Sequence, residues 1–438
     1  MFKDASLKNH PKELWILALT EMCERYAFWG VGNLLVLFLI EHYQYSNASA
    51  SHLYGLFAGF AAFLPLVGGY VADRWNYQAP MVLGALVNAT GCFMLSTGTP
   101  GLLYPALFII ALGYGIFTPS IITILGYAYR NKPHLREAGF SIYYASINIG
   151  VFLALASLGM IAKLVNWNTA FFVAGMVQVI GLCPLFWYLC KYKENYKELH
   201  AHRAAAKQGK LTKIDKDRFI VIAIFYFASI LFWIAYIQGF SSMAIFAHDF
   251  MNKIVGGIDI PEGVFLSSES FFLILLAPLL AALYAYLNRF KQDPTPALKT
   301  GYSLIGIAVC FLIMMFASAT IPSGESSASV SWEPLIFAYF MMAVGEMLLA
   351  PVGLSLVSKL APHRYTALSI GIWYVCVGFA FYIGGLLAGL MQSVGGLFNF
   401  FAIFVALTAI PGVILLFFSK KITALSHSNL KEGPVEPL

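Results

Sequence analysis

Long apolar runs follow one another almost from end to end of this chain, separated by short polar intervals. A helix needs about 20 mainly apolar residues to cross a bilayer. Twelve segments meet that requirement, at approximately 14–40, 51–73, 79–98, 101–128, 139–162, 168–190, 217–247, 263–287, 298–320, 333–357, 366–391 and 396–419. The pattern predicts an all-α integral membrane protein of twelve transmembrane helices. The longest polar interval, KYKENYKELHAHRAAAKQGKLTKIDKDR at 191–218, divides the spans six and six. It implies an N-terminal six-helix half (1–190), a basic cytoplasmic linker (191–216), a C-terminal six-helix half (217–419) and a cytoplasmic tail (420–438). The stretch 321–332, rich in Ser with Gly and Pro, reads as a flexible outer loop.

Composition settles where the apolar surface goes. Hydrophobic residues make up 60% of the 438 positions and charged residues only 11%, against about 25% charged in a soluble domain. The surplus must face lipid. A net charge of +6 would invite a nucleic-acid partner in a soluble protein; here the basic residues sit between spans, so topology accounts for them and no nucleic acid is expected. With the N-terminus inside, 24 of the 27 Lys and Arg fall in cytoplasmic segments, nine of them in 191–218. The outer loops hold only Lys163 and Lys253, and Arg25 lies within a span. That asymmetry predicts a multi-pass protein of the cell inner (plasma) membrane with both termini in the cytoplasm. Lys3, Lys8 and Lys12 read as the flank of a retained first helix, not as a cleavable signal. The basic middle interval reads as a solvated connector touching the anionic leaflet. Cys23, Cys92, Cys183, Cys190, Cys310 and Cys376 all fall in apolar stretches without a C-x-x-C pair. They are expected to be buried small hydrophobes, with neither disulfides nor a metal site.

Charges inside spans are the informative exceptions, because burial is expensive without a partner or a wet cavity. Span 1 carries Glu21, Glu24 and Arg25, which lie on one helix face. Glu346 sits mid-way along span 10, and Glu269 about two turns into span 8, where the outer interface is the plainer alternative. If these four carboxylates share one central cavity with Arg25, full ionisation leaves about three negative charges there. Desolvation and mutual repulsion then favour at least one protonated acid. Titratable acids in a transport cavity suggest coupling to a proton gradient. A helix-locking ion pair of Glu21 with Arg25 is the structural alternative. All nine His lie in loops or near span ends, which argues against a membrane-embedded enzyme.

Span 2 ends in GGYVADRW (Gly68–Trp75), placing Gly69, Asp73 and Arg74 at its cytoplasmic edge. This resembles the latch between spans 2 and 3 of major facilitator proteins, without the basic residues that usually follow. Three longer strings resemble the proton-dependent oligopeptide transporter family within that superfamily. They are EMCERYAFWG (Glu21–Gly30), SIYYASINIG (Ser141–Gly150) and GEMLLAPVGLSLVSKLAP (Gly345–Pro362), with weaker support from LFWIAYIQG in span 7 and the surroundings of Trp373.

The resemblance implies a major facilitator fold in two six-helix halves, and proton-coupled import of di- and tripeptides or peptide-like solutes by alternating access. It implies no cofactor beyond protons as coupling ion, and a monomer as the working unit. It assigns Glu21, Glu24 and Arg25 to proton coupling, and Glu269, which the family pattern lacks, is expected to join them. Substrate binding would fall to Arg25, Thr118, Tyr144, Asn148, Trp233, Gln238, Glu269, Glu346 and Trp373, with Glu346 meeting the peptide amine. Gly69, Asp73 and Arg74 would form the cytoplasmic gate.

Several positions depart from the family pattern. Thr118 stands where the family has a lysine, Phe28 and Trp29 replace two tyrosines, and Gly32 replaces an arginine. Ile237 replaces an acid before Gln238, while Glu269 replaces an asparagine. Cations and phenols suited to a carboxylate are lost and an acid is gained. Glu269 could carry the proton role vacated at Ile237. Alternatively the solute is amine-bearing or cationic, taken up or exported, which acids with aromatic walls would suit. A sensor that binds peptide without moving it remains a further possibility. A peptide or peptide-like solute is the favoured reading.

Overall fold

The computed structural model describes residues 9–74, 77–129, 132, 135–191, 212–290, 294–321, 327–361, 366–391 and 393–427, with the side chains of most of them. The expected linker lies largely outside the described residues, as does most of the tail. The described helices are α1 (Lys12–Glu41), α2 (Asn47–Arg74), α3 (Gln78–Ser96), α4 (Leu103–Ala128), α5 (Arg136–Leu164), α6 (Trp167–Lys191), α7 (Lys213–Tyr236), α8 (Ser242–Asp249), α9 (Glu262–Leu266), α10 (Ser268–Arg289), α11 (Pro296–Ala317), α12 (Glu333–Leu360), α13 (Thr366–Ala388) and α14 (Leu397–Leu425). Twelve stretches are long and apolar enough to cross a membrane. Phe63, Phe186, Phe316 and Phe417 are among the large apolar side chains left on the outside, as a lipid-facing surface requires.

Two of the apolar runs are not continuous helices. The seventh leaves α7 through a 3-10 turn at Ile237–Phe240 and resumes as α8. The eighth breaks at Ser267 between α9 and α10, where the Ser267 hydroxyl donates to the Val264 carbonyl oxygen at 2.6 Å. A serine that bonds its own backbone offers the chain an alternative to the helix ladder. The break puts Glu269 in the first turn of α10, where the free N–H groups favour a carboxylate. At the start of α7, Thr212 and Asp215 form a reciprocal capping box. The loop between α8 and α9 holds a small hairpin, β1 (Ile254–Val255) with β2 (Ile258–Asp259). Its turn is Gly256-Gly257, both at positive φ (60° and 84°), which other residues adopt at a cost.

α1 packs on α2, α5 and α6, and α3 on α4 and α6. On the other side α11 packs against α12 and α14, and α7 against α13. Between these groups α2 runs along α13, and α5 lies against α9 and α10. The contact of α2 with α13 is backbone-close: a Cβ on Gly55 would sit 2.6 Å from the Gly385 Cα. Small residues on both helices permit this approach.

The end of the bundle opposite the termini is tied across the two groups. Lys163 Nζ meets Asp259 Oδ2 at 2.5 Å, and Asn47 Nδ2 donates to Asp249 Oδ2 at 3.0 Å. His248 bridges Asp249 (2.7 Å) and Glu41 (3.6 Å), and Lys253 pairs with Glu262. Three of these contacts, Lys163–Asp259, Asn47–Asp249 and Glu41–His248, join the two groups at that end.

Cysteine placement departs from expectation at two positions, and one of them, Cys376 on α13, is only half-buried. Cys23, Cys92 and Cys310 are buried, but Cys183 is exposed on α6, on a face where lipid accepts a thiol as readily as a methylene. The side chain of Cys190 lies outside the described residues.

Candidate functional site

The helical spacing of Glu21, Glu24 and Arg25 brings all three to one buried point on α1. Arg25 Nε donates to Glu21 Oε1 at 2.7 Å, while Nη2 approaches the same oxygen at 2.6 Å. Arg25 Nη1 lies 3.2 Å from Glu24 Oε2. This second contact is electrostatic in character, since neither of those two atoms forms a well-directed hydrogen bond. Asn88 on α3 donates to Glu24 Oε1 at 3.2 Å, and Arg25 Nη2 reaches Thr118 Oγ1 on α4 at 3.4 Å. The guanidinium carbon sits 4.9 Å from the centre of the Tyr114 ring, and Tyr114 in turn stacks on Phe28 at 4.0 Å. Both carboxylates are fully buried. One guanidinium therefore answers two acids.

A second acidic pole is assembled from four other helices. Glu269 on α10 accepts from Tyr236 on α7 at 3.2 Å and from Ser270 at 3.1 Å. Glu346 on α12 accepts from Tyr144 on α5 at 3.2 Å. Both carboxyl groups line the same cavity. The second oxygen of Glu346 is buried without a hydrogen-bond partner. No arginine or lysine contributes to this pole among the described residues.

Between the two poles lies a cavity of about 260 Å³. Arg25, Trp29, Asn33, Tyr114, Tyr144 and Asn148 line it from one half; Trp233, Tyr236, Glu269, Glu346, Trp373 and Phe381 line it from the other. Trp233 and Trp29 both pack edge-on against Phe381, with ring centres 5.9 and 6.4 Å apart. Trp373 stacks on Phe225 at 5.3 Å. The indole Nε1 of Trp233 is buried with no partner. The enclosure thus offers an acidic pole, aromatic walls and an unpaired donor.

Of the sequence-derived residues, Arg25, Tyr144, Asn148, Trp233, Glu269, Glu346 and Trp373 do line this cavity. Glu269 is buried, 1% exposed, and so is not at the outer interface. Four of the expected residues stand outside the lining. The four acids do not share one cavity: Glu21 and Glu24 stand behind Arg25, outside the lining. Thr118 is likewise outside it, because its hydroxyl faces the guanidinium. Gln238 is a packing residue, not a lining one. Its amide donates to Gly384 O at 2.8 Å and Ile234 O at 3.2 Å, and accepts from Ser242 at 2.9 Å. Those bonds hold the 3-10 turn against α13 and use both hydrogens of the amide.

At the expected cytoplasmic gate, the side chains of Asp73 and Arg74 lie outside the described residues. On α2, an added Cβ at Gly68 would stand 2.0 Å from Gly115 O, whereas Gly69 has room, with Pro119 3.8 Å away.

Sequence reasoning missed Tyr236, Tyr114, Asn33 and Phe381 in the lining, and Asn88 behind it. Asn33 and Asn88 carried a usable signal as amides deep within apolar runs. The aromatic residues carried none, being a few among 24 Tyr and 37 Phe.

The Major Facilitator Superfamily profile matches residues 17–321, and the chain belongs to that superfamily. It is a multi-pass membrane protein of a transporter fold. Among its relatives, the peptide transporter YePEPT of Yersinia enterocolitica is 26% identical over 88% of this chain and 89% of the relative. The dipeptide and tripeptide permease B of Salmonella typhimurium is 27% identical over 87% of each. A crystal structure of a peptide transporter, POT, in complex with sulfate superposes with a TM-score of 0.83 at 23% identity, over 96% of both chains. A POT family transporter in complex with 5-aminolevulinic acid gives 0.84 at 20% identity, over 96% of this chain and 98% of the other. These matches agree with the family resemblance carried by the motifs of α1, α5 and α12.

Proposed function

We propose that this chain is a proton-coupled symporter that imports di- and tripeptides or peptide-like solutes by alternating access. It works as a monomer in the cell inner membrane, with both termini in the cytoplasm, protons as its coupling ion and no cofactor. The observation that carries this reading is the cavity between the halves, which Glu269 and Glu346 both line with no Lys or Arg at their pole among the described residues. Two carboxyl groups in one buried cavity hold a proton more easily than a second charge. An arriving ammonium group changes that balance, since it can stand in for the proton. Substrate amine and proton are thereby linked at one place. The relatives named as peptide transporters or dipeptide and tripeptide permeases support the substrate class.

The residues divide by position. Glu346, Glu269, Tyr144 and Asn148 receive the amine end. Trp233, Trp373 and Phe381 pack against the peptide plane, where their faces exclude water. Glu21, Glu24 and Arg25, held by Asn88 and Thr118, form the proton-sensitive support of the opposite pole. The tied far end describes a state in which substrate has access from the side of the termini only.

Counterflow tests this reading. Proteoliposomes loaded with unlabelled Ala-Ala should take up external labelled Ala-Ala, and free amino acids should compete poorly. A chain that binds dipeptide in a thermal-shift assay yet shows no counterflow is a sensor, and the proposal fails. Stabilisation by polyamines but by no peptide would overturn the substrate class.

A further inference from the structure

We infer that the end of the bundle opposite the termini carries a binding site for a divalent cation of the zinc class. Glu41, His248 and Glu262 hold the ion, which bridges the two helix groups. None of the three lines the central cavity, and the site does not rest on the peptide reading.

The ligands come from three elements. Glu41 ends α1, His248 lies in the last turn of α8, and Glu262 opens α9. Each offers one ligand atom, and these atoms all lie within 4.8 Å of one another. His248 Nε2 stands 3.6 Å from Glu41 Oε1, which is too far for a hydrogen bond. Two ligand atoms on one tetrahedral ion stand about 3.3 Å apart when the bonds are about 2.0–2.1 Å. The gap therefore suits a shared ion better than a direct contact, and small turns of the carboxyl groups complete the shell. Three protein ligands leave a fourth position for water.

Each ligand is also held from behind. His248 Nδ1 meets Asp249 Oδ1 at 2.7 Å. A metal-bound histidine typically donates its second ring N–H to a carboxylate in this way, which turns the other nitrogen's lone pair towards the ion. Trp167 Nε1 donates to Glu41 Oε2 at 2.9 Å, so the oxygen left for the ion is the one facing His248. The Lys253 ammonium holds Glu262 Oε1, and the carboxyl has a second oxygen to offer. Charge points the same way. Glu41, Asp249 and Glu262 bring three carboxylates together against the one ammonium of Lys253. A dication offsets that excess, and an imidazole among the oxygen ligands favours zinc over magnesium or calcium. Glu41 and His248 are partly exposed, so the ion can enter from water. Because Glu41 belongs to one helix group and His248 and Glu262 to the other, a bound ion adds a further tie at this end.

The test titrates zinc chloride and magnesium chloride into the purified, tag-free full-length chain at neutral pH by isothermal titration calorimetry. The parent, His248→Ala and Glu41→Gln are compared. The expected result is one zinc per chain and no magnesium binding at the same concentration, with zinc weakened at least about tenfold in each variant. His248 and Glu41 lie on opposite groups, so loss in both is the mark of a bridging ion. No zinc binding by the parent would overturn the inference. So would equal binding of magnesium, or undiminished zinc binding by either variant. Thermal melting without metal checks that the variants fold; if one does not, the other decides. X-ray absorption at the zinc edge of the loaded parent should show only nitrogen and oxygen neighbours, at about 2.0–2.2 Å. A sulfur neighbour at about 2.3 Å would put the ion on a cysteine and contradict the site.

Discussion

At the scale of single residues, Arg25 serves structure and site together. Replacing it by glutamine would leave Glu21 and Glu24 facing each other in a fully buried place. Breaking a buried pair by removing one partner destabilises by about 3–5 kcal/mol. Arg25→Gln should therefore lower the melting temperature of the detergent-purified protein sharply. Neutralising both acids in the same chain should restore much of it. A single variant as stable as the parent would mean that the two acids are already neutral. Glu346 asks a different question, because its unpartnered oxygen faces the cavity. Glu346→Gln retains an acceptor for Tyr144 and loses only the charge. Hydrogen bonds to charged groups are worth about 1.5–3 kcal/mol, so dipeptide affinity should fall at least tenfold with little change in stability. Normal binding by this variant would remove Glu346 from amine recognition.

At the scale of elements, closure rests on helix contacts with no room for side chains. A Cβ on Gly385 would come 2.4 Å from the Gly55 Cα, so Gly385→Leu must hold α2 and α13 apart. The variant should fold yet lose counterflow, with cross-linking between cysteines at 47 and 249 reduced. Undiminished counterflow would show that this contact is not needed for the cycle. The Lys163–Asp259 tie is of another kind. The Lys163 ammonium beside Asp259 holds that carboxyl below its ordinary value. Its contribution is therefore present above the ordinary carboxylate range and lost only as pH falls through the lowered value. Across about pH 5–8 the tie stays ionised, so Lys163→Ala should leave the pH profile of uptake unchanged. A shifted profile would place proton sensing at the far end and not in the cavity.

These elements also show how far the sequence could be read. Apolar length alone places twelve spans, and helical spacing alone brings Glu21, Glu24 and Arg25 to one face. Neither reveals the breaks at Ile237 and Ser267, because the runs stay apolar through them. Those breaks are what turn Gln238 into a staple and set Glu269 at a helix start. The division of four acids between two poles is tertiary, fixed by how α1 packs on α3 and α4 while α10 meets α12. It was not legible in one dimension.

At the scale of the whole molecule, the far end is tied between the halves, and the cavity lies between them with Glu269 and Glu346 on the C-terminal half. Alternating access requires those ties to break and re-form each cycle while the poles stay intact. The central claim is that the proton and the substrate amine meet at the same acids, so the gradient of one drives the other. The direct measurement is accumulation of labelled Ala-Ala in proteoliposomes with the interior alkaline. The account predicts accumulation above the external concentration, collapsing when a protonophore is added. Uptake that reaches the same level with and without the gradient would contradict it.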